Sequence, residues 1–197
     1  NAEHYIEATI ESIFSQKALH TGRATLEYIV ADGYSTDGTL GIVEQYAKRF
    51  SHGTVHIFSE HDRGMYDALA KGLKRATGEV CAYLNAGDLY SPHAFDVIID
   101  ALQTHALKWF TSLQTVYNEK GQVVSCHIPF PYRSRLFQCG LYNNITLPYL
   151  QQESTFWHAD LHQFVDFERL AEFKYAGDYY LWHCFSQQTE LKIIETQ

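Results

Sequence analysis

Apolar positions recur at helical spacing in Ile6, Ile10, Ile13 and Phe14, so Asn1 to Gln16 reads as a helix with one apolar face. An apolar run from Leu26 to Ala31 then predicts a strand ending at Asp32, and a turn-rich loop follows over Gly33 to Gly38. Thr36 or Asp37 can cap the next helix, Thr39 to Phe50. Val55 to Ser59 reads as a second strand. Met65 to Arg75 is an amphipathic helix with Met65, Leu69, Gly72, Leu73 and Ala76 near one face and Gly78 at its end. Val80 to Leu84 is a third strand, with the loop Asn85-Ala86-Gly87-Asp88 at its carboxyl end, and Pro92 opens a helix to about Gln103.

The second half changes character. Trp109 to Tyr117 and Gln122 to Cys126 pattern as a hairpin around Asn118-Glu119-Lys120-Gly121. Ile128 to Tyr149 contains three of the four prolines and little periodicity, and reads as irregular. Ser154 to Trp157 is a short strand, a last helix begins near Asp178, and Leu191 to Glu195 is a closing strand. Strands alternating with helices predict an α/β class: a mostly parallel, Rossmann-like sheet covered on both faces, with a small antiparallel element. No linker divides residues 1–197, so one domain is expected. Such a domain would place a strand ahead of the first helix, before Asn1.

Composition narrows the function more than the fold. The net charge of −8 argues against a general nucleic-acid binder, whose footprint is basic. An acidic domain still binds a diphosphate when a metal supplies the positive charge. Cys81, Cys126, Cys139 and Cys184 form no C-x-x-C pair; two of them lie in apolar stretches, and free thiols in a reducing compartment are expected. No apolar run is long enough to span a bilayer, and no signal peptide is recognisable.

In an open parallel sheet, ligands bind beyond the carboxyl ends of the strands. Asp32, Asp62 and Asp88 each follow one of the three strands of the first half. Each alone is explained as a turn former or cap, but three at successive strand ends converge on one edge. Asp88 is the best metal ligand, because Mg²⁺ or Mn²⁺ takes carboxylate oxygen and often bridges to phosphate through one or two protein carboxylates. Gly87 permits close backbone approach and Asn85 can orient the loop. Asp32 can accept hydrogen bonds from a nucleobase. Arg63 or Lys71 can neutralise a phosphate, although a solvated face explains Lys71 equally well. Asp178, after Gly177, is either a helix cap or a general base that takes the proton of an attacking hydroxyl. Gln151, Gln152 and Glu153 can line an acceptor pocket, and nearby aromatics such as Trp182 can stack on sugar rings.

With these residues placed, nearly the whole chain resembles the family 2 inverting glycosyltransferases, which have the GT-A fold, a three-layer α/β/α sandwich. Asn1 resembles the Asn after the family's first strand, and Ile10 to Gln16 its first helix. Val30-Ala31-Asp32-Gly33-Tyr34-Ser35-Thr36-Asp37-Gly38-Thr39 resembles the segment whose first Asp contacts the nucleotide base. Asp62 to Ala68 with Lys71-Gly72, Leu84 to Asp88, Gln151 to Trp157 and Gly177 to Trp182 resemble later segments in the same order.

The likeness implies that Asp32, Asp62, Arg63, Lys71, Asn85 and Gly87 bind the nucleotide-sugar and that Asp88 belongs to the D-x-D-like metal motif. It implies Asp178 as catalytic base and Gln152, Glu153 and Trp182 on the acceptor side. The nucleotide-binding half then covers about 1–105 and the acceptor half about 106–197. It further implies a nucleoside-diphosphate sugar donor, a glycan or lipid-linked acceptor, inversion, and work at the inner face of the cytoplasmic membrane in polysaccharide assembly. Gly87 stands where the family's metal pair has its first Asp, and Ala70 where it has an Asn. The Q-x-x-R-W motif of processive synthases is absent, which favours single-sugar transfer. A non-catalytic sugar- or nucleotide-binding module with a decayed metal site is the rival reading. A sugar-nucleotidyltransferase would need a basic, Gly-rich loop after its first strand, and the segment that would carry that loop is not in this chain.

Overall fold

The structure, a computed structural model, describes residues 1–104, 108–118, 120 and 122–194. The opening helix is shorter than its pattern, α1 being Ile6–Phe14, and a separate turn of helix, α2 (Lys17–His20), follows. Ile6, Ile10 and Ile13 are buried on one face of α1. Burial of a side chain such as Ile10 contributes about 1.5–3 kcal/mol, and here it is set against Val43 of α3 (Thr39–Arg49).

Strands β1 (Leu26–Asp32) and β2 (Gly53–Ser59) pair in parallel, with Asp32 opposite Ser59, and α3 is the crossover such a pair requires. Neither Thr36 nor Asp37 is the N-cap of α3; Gly38 holds that position. Asp37 still acts as a cap from one residue earlier, since its Oδ1 accepts the Thr39 N–H at 3.1 Å. The amphipathic helix α4 spans Met65–Arg75 as expected, with Tyr66, Asp67, Ala70 and Leu73 buried.

The second sheet departs from expectation. β3 is only Val80–Cys81, and Ala82 to Leu84 lie outside any ladder. After α5 (Ala94–Thr104), the run Trp109 to Tyr117 is not one hairpin arm. Trp109–Thr111 (β4) enters the larger sheet, and Gln114–Tyr117 (β5) leaves it to pair with Val123–His127 (β6). The larger sheet has the order β3-β7-β4-β8, where β7 is Thr155–His158 and β8 is Lys192–Ile193. Its β3–β7 and β7–β4 pairs are antiparallel and β4–β8 is parallel. The α/β class therefore holds, but the sheet is mixed rather than mostly parallel. The strand ends that carry Asp32 and Asp88 belong to two separate ladders. Glu195, expected in the closing strand, lies outside the described residues.

Between Ile128 and Tyr149 the chain is irregular except for α6 (Ser134–Gln138). Two short 3-10 turns flank β7, and α7 (Phe167–Leu170) and α8 (Gly177–Ser186) complete the helices. The main core takes Tyr66, Leu73 and Cys81 from the first half, and Trp109, Trp157, Trp182 and Phe185 from the second. Trp109 stacks on Trp182 with ring centroids 5.8 Å apart. Cys81 and Cys184 are buried, Cys126 and Cys139 exposed, and all four are free thiols. Among the described residues no helix is long and apolar enough to cross a membrane.

Candidate active site

The first sixteen residues hold the loops that follow both β1 and β3. Asn1 accepts the Thr36 N–H through Oδ1 at 2.7 Å, and Glu3 Oε2 accepts the Gly38 N–H at 2.7 Å. On α1, a polar stripe of Thr9, Ser12 and Gln16 faces the segment after β3. Gly87 N–H donates to Thr9 Oγ1 at 2.8 Å, and Thr9 donates to the Asp88 carbonyl at 3.0 Å. Ser12 Oγ accepts the Tyr90 N–H, while Gln16 donates to the Ser91 carbonyl and accepts from Phe95 N–H. Thr9 and Gln16 are almost wholly buried, so these bonds are shielded from water. No site role follows for them from sequence, but their spacing at i, i+3 and i+7 beside the apolar stripe is the signal that was present.

Asp32, at the end of β1, is 7% exposed and turned inward. Its carboxylate accepts Ser35 N–H at 3.2 and 3.1 Å and the Ser59 hydroxyl at 2.6 Å. Burial opposes its ionisation, yet the Ser35 and Ser59 hydrogen bonds hold its carboxyl below the ordinary value. Asp62 packs against Gly33, and its Oδ1 accepts the Gly64 N–H at 3.0 Å. These two carboxylates lie at the same end of the β1–β2 pair.

The two cations assigned to phosphate binding are engaged elsewhere. Arg63 donates to Asp67 through its backbone N–H at 3.0 Å and its guanidinium at 3.1 Å. Lys71 donates to the His61 carbonyl at 2.7 Å and lies 3.3 Å from Asp67. Asp67 is buried; burial resists its charge, but Arg63 and Lys71 outweigh that and pull its carboxyl down to about 2. Asp67 is thus the organiser of this turn, a role its place in the sequence does not reveal.

Asp88 sits in a turn closed by its own N–H to the Asn85 carbonyl at 3.0 Å. Asn85 contributes this carbonyl. Gly87 has φ of 108°, a conformation side-chain-bearing residues rarely adopt, so the backbone explains a glycine at the place of the family's first Asp. Asp88 Oδ2 accepts Gln152 Nε2 at 3.3 Å, which ties the end of the first half to the turn before β7. Gln152 is 6% exposed and its Oε1 is buried without a partner, as are Glu153 Oε2 and Tyr83 OH. Buried polar atoms without partners are rare in a finished core and mark places where a ligand completes the bonding. Burial first, and then the Asp88 and Asp178 charges, push the Glu153 carboxyl above its ordinary value.

Asp178 is not a helix cap. Ala176 holds the N-cap position of α8 in the left-handed conformation, with φ of 57°, and Asp178 lies in the first turn. Asp178 Oδ1 accepts the Tyr66 hydroxyl at 3.0 Å. Burial, reinforced by the Asp178 charge, raises the Tyr66 phenol to about 12, so it remains a neutral donor. The helix start is glycine for a packing reason: a Cβ on Gly177 would lie 2.5 Å from the Tyr66 ring. Asp88, Glu153 and Asp178 all act electrostatically on Tyr83 and on Tyr149. The carboxylates of the two halves therefore face one region. Of these carboxylates, Asp178 lines a cavity of about 740 Å³ together with Tyr66 and Tyr149, a volume in the range of small-molecule sites. Trp182 also lines it, but at 1% exposure it is a floor locked into the core rather than a free stacking surface.

Oxygen donors fit a hard cation here. Asp88 supplies carboxylate oxygen, and the unpartnered Gln152 and Glu153 oxygens are of the same kind. Among the described residues no three His, Cys, Asp or Glu side chains cluster as a metal cage. Such a set suits an ion carried mainly by substrate phosphates.

The sequence profile of Glycosyl transferase family 2 matches residues 1–149. A glycosyltransferase assigned to teichuronic acid biosynthesis, TuaG of Bacillus subtilis (strain 168), is 37% identical over 89 residues, 45% of this chain and 32% of that protein. The crystal structure of S. aureus TarS 1-349 with UDP covers 100% of this chain and 56% of its own, with a TM-score of 0.74 at 18% identity. The mannosyltransferase PcManGT from Pyrobaculum calidifontis, in complex with GDP-Man and Mn²⁺, covers 97% and 52%, with a TM-score of 0.61 at 20% identity. The chain thus spans about a third of the length of TuaG and about half of each of these structures. With most of its length matched by one family profile and the α/β fold shared, this chain belongs to glycosyl transferase family 2.

Proposed function

We propose that this chain forms the donor-binding and catalytic region of an inverting glycosyltransferase. It moves one sugar from a nucleoside-diphosphate sugar to a hydroxyl of a glycan or lipid-linked acceptor in polysaccharide biosynthesis, at the cytoplasmic face of the membrane. The observation that carries this reading is that Asp88, Glu153 and Asp178, from both halves of the chain, all act electrostatically on Tyr83 and Tyr149, with Gln152 bonded to Asp88.

Asp178 is the general base. Tyr66 occupies its Oδ1 and leaves Oδ2 to take the proton of the acceptor hydroxyl. That hydroxyl then attacks the anomeric carbon opposite the leaving diphosphate, and a single displacement inverts the centre. Asp32 and Asp62 line the nucleotide end, and Asp88 would hold Mg²⁺ or Mn²⁺. When bound, the ion supplies charge stabilisation to the departing diphosphate. Gln152 positions Asp88, and the Glu153 carboxyl beside it contacts a sugar hydroxyl. The complexes of TarS with UDP and of PcManGT with GDP-Man and Mn²⁺ support the donor class and the ion.

The test is a donor-plus-acceptor transfer assay with D178N. The variant should lose at least about a thousandfold in kcat while binding nucleoside diphosphate as the parent does. Full activity in D178N removes Asp178 from the base role. Failure of every nucleoside diphosphate to bind, with or without Mn²⁺, removes the donor class altogether. Binding without any transfer or donor hydrolysis would favour the binding-module reading.

A further inference from the structure

The cavity beside Asp178 has an asymmetric wall. Most of its surface is aromatic or apolar, and among the described residues Arg169 is the sole Lys or Arg along it. Arg169 comes from α7, and its guanidinium lies 5.4 Å from the Tyr180 ring centroid. Tyr180 is itself stacked on Phe173, with centroids 5.2 Å apart, and its hydroxyl accepts the Asp166 N–H at 3.2 Å. A guanidinium laid over a ring held in this way keeps its planar donor edge available for a forked pair of hydrogen bonds.

Asp166 and Glu168, which precede Arg169 in the chain, are committed to other groups. Asp166 Oδ1 accepts the N–H groups of Glu168 and Arg169 at 3.0 and 3.1 Å, and the Glu168 carboxylate pairs with Lys74. Arg23, Arg63 and Arg75 each have a carboxylate partner, whereas among the described residues none lies within ion-pair distance of Arg169. In a chain of net charge −8, a cation without a protein acid on a cavity wall is a site for a counter-charge brought by the ligand. A neutral glycan would be served by the aromatic wall alone.

We infer that the cavity takes an acceptor bearing an anionic group, a phosphate or a carboxylate, and that Arg169 binds that group while Asp178 faces the reacting hydroxyl. This rests on the reading of the Asp178 cavity as the acceptor side, but its test needs no donor, ion or transfer. Glycerol 3-phosphate and glucuronate, each against its neutral counterpart (glycerol and glucose), would be titrated into the parent protein, R169Q, R49Q and D178N by ligand-observed NMR at low salt. Arg49 is exposed on α3, away from the cavity.

The parent should prefer at least one anionic probe over its neutral partner by about fivefold or more, and the stronger of the two anions identifies phosphate or carboxylate as the natural group. R169Q should abolish that preference and R49Q should keep it within about twofold. D178N should tighten anion binding by about twofold or more, because a like charge leaves the same cavity. No preference in the parent, an undiminished preference in R169Q, or unchanged anion affinity in D178N each overturns the inference. A transfer assay that fails while these titrations succeed would instead count against the proposed function.

Discussion

The Tyr66 hydroxyl donates to Asp178 Oδ1 at 3.0 Å, joining α4 to α8 across 112 residues of chain. The bond fixes one carboxylate oxygen and leaves the other to act. Replacement of Tyr66 by Phe removes the donor and keeps the ring that packs over Gly177. Y66F should lower kcat about tenfold with donor affinity unchanged. A parent-like kcat in Y66F would separate Tyr66 from the chemistry.

Thr9 bridges Gly87 N–H and the Asp88 carbonyl from a buried position on α1. T9V keeps the shape and removes both part-buried bonds, at a cost of about 0.5–1.5 kcal/mol each. Denaturant unfolding should report that loss, and titration with nucleoside diphosphate and Mn²⁺ should show weaker binding. Parent-like values in both measurements would mean that α1 does not hold the Asp88 turn.

Gly87 invites an obvious repair, restoration of the family's first acid. At φ of 108° an Asp side chain is strained, at about 1–3 kcal/mol. G87D should therefore melt lower than the parent and gain no affinity for Mn²⁺ in isothermal titration. Tighter Mn²⁺ binding without loss of stability would show that the turn relaxes to accept the acid.

Asp67 supplies a pH test of stability. Its folded carboxyl lies at about 2, below the unfolded value of about 3.9. Its stabilisation is therefore fully present above about pH 4 and declines as pH falls toward 2. D67N should be destabilised at pH 7, and the gap between D67N and the parent should narrow through that acid window. A gap independent of pH would mean that the Arg63 and Lys71 contacts contribute nothing through charge.

Local periodicity sufficed for α3 and α4, the two helices with a clean apolar face between turn signals, but overran α1 at both ends. α4 coincides with its pattern, and α3 falls one residue short of it. It failed where tertiary pairing decides. Trp109 to Tyr117 alternates well enough for one strand, but Trp109–Thr111 pairs with β7 while Gln114–Tyr117 pairs with β6. Asp88 and Asp178 were visible as chemistry-bearing residues because they occupy turns beside apolar runs. Tyr66 and Thr9 were not, since a Tyr or Thr on an amphipathic helix has no local mark of a distant partner. Arg63 and Lys71 look alike as free cations in sequence, and only the fold shows Asp67 holding both.

The insertion of β7 between β3 and β4 has a consequence for biosynthesis. The central ladder stays open until the ribosome has delivered residue 158, because the strand that fills the gap is encoded after β3 and β4. Emerging chain up to that point exposes unsatisfied strand edges, the state in which nascent proteins are most prone to aggregate. Pausing of translation or chaperone capture before β7 emerges would thus govern yield more than any single packing defect in the finished molecule.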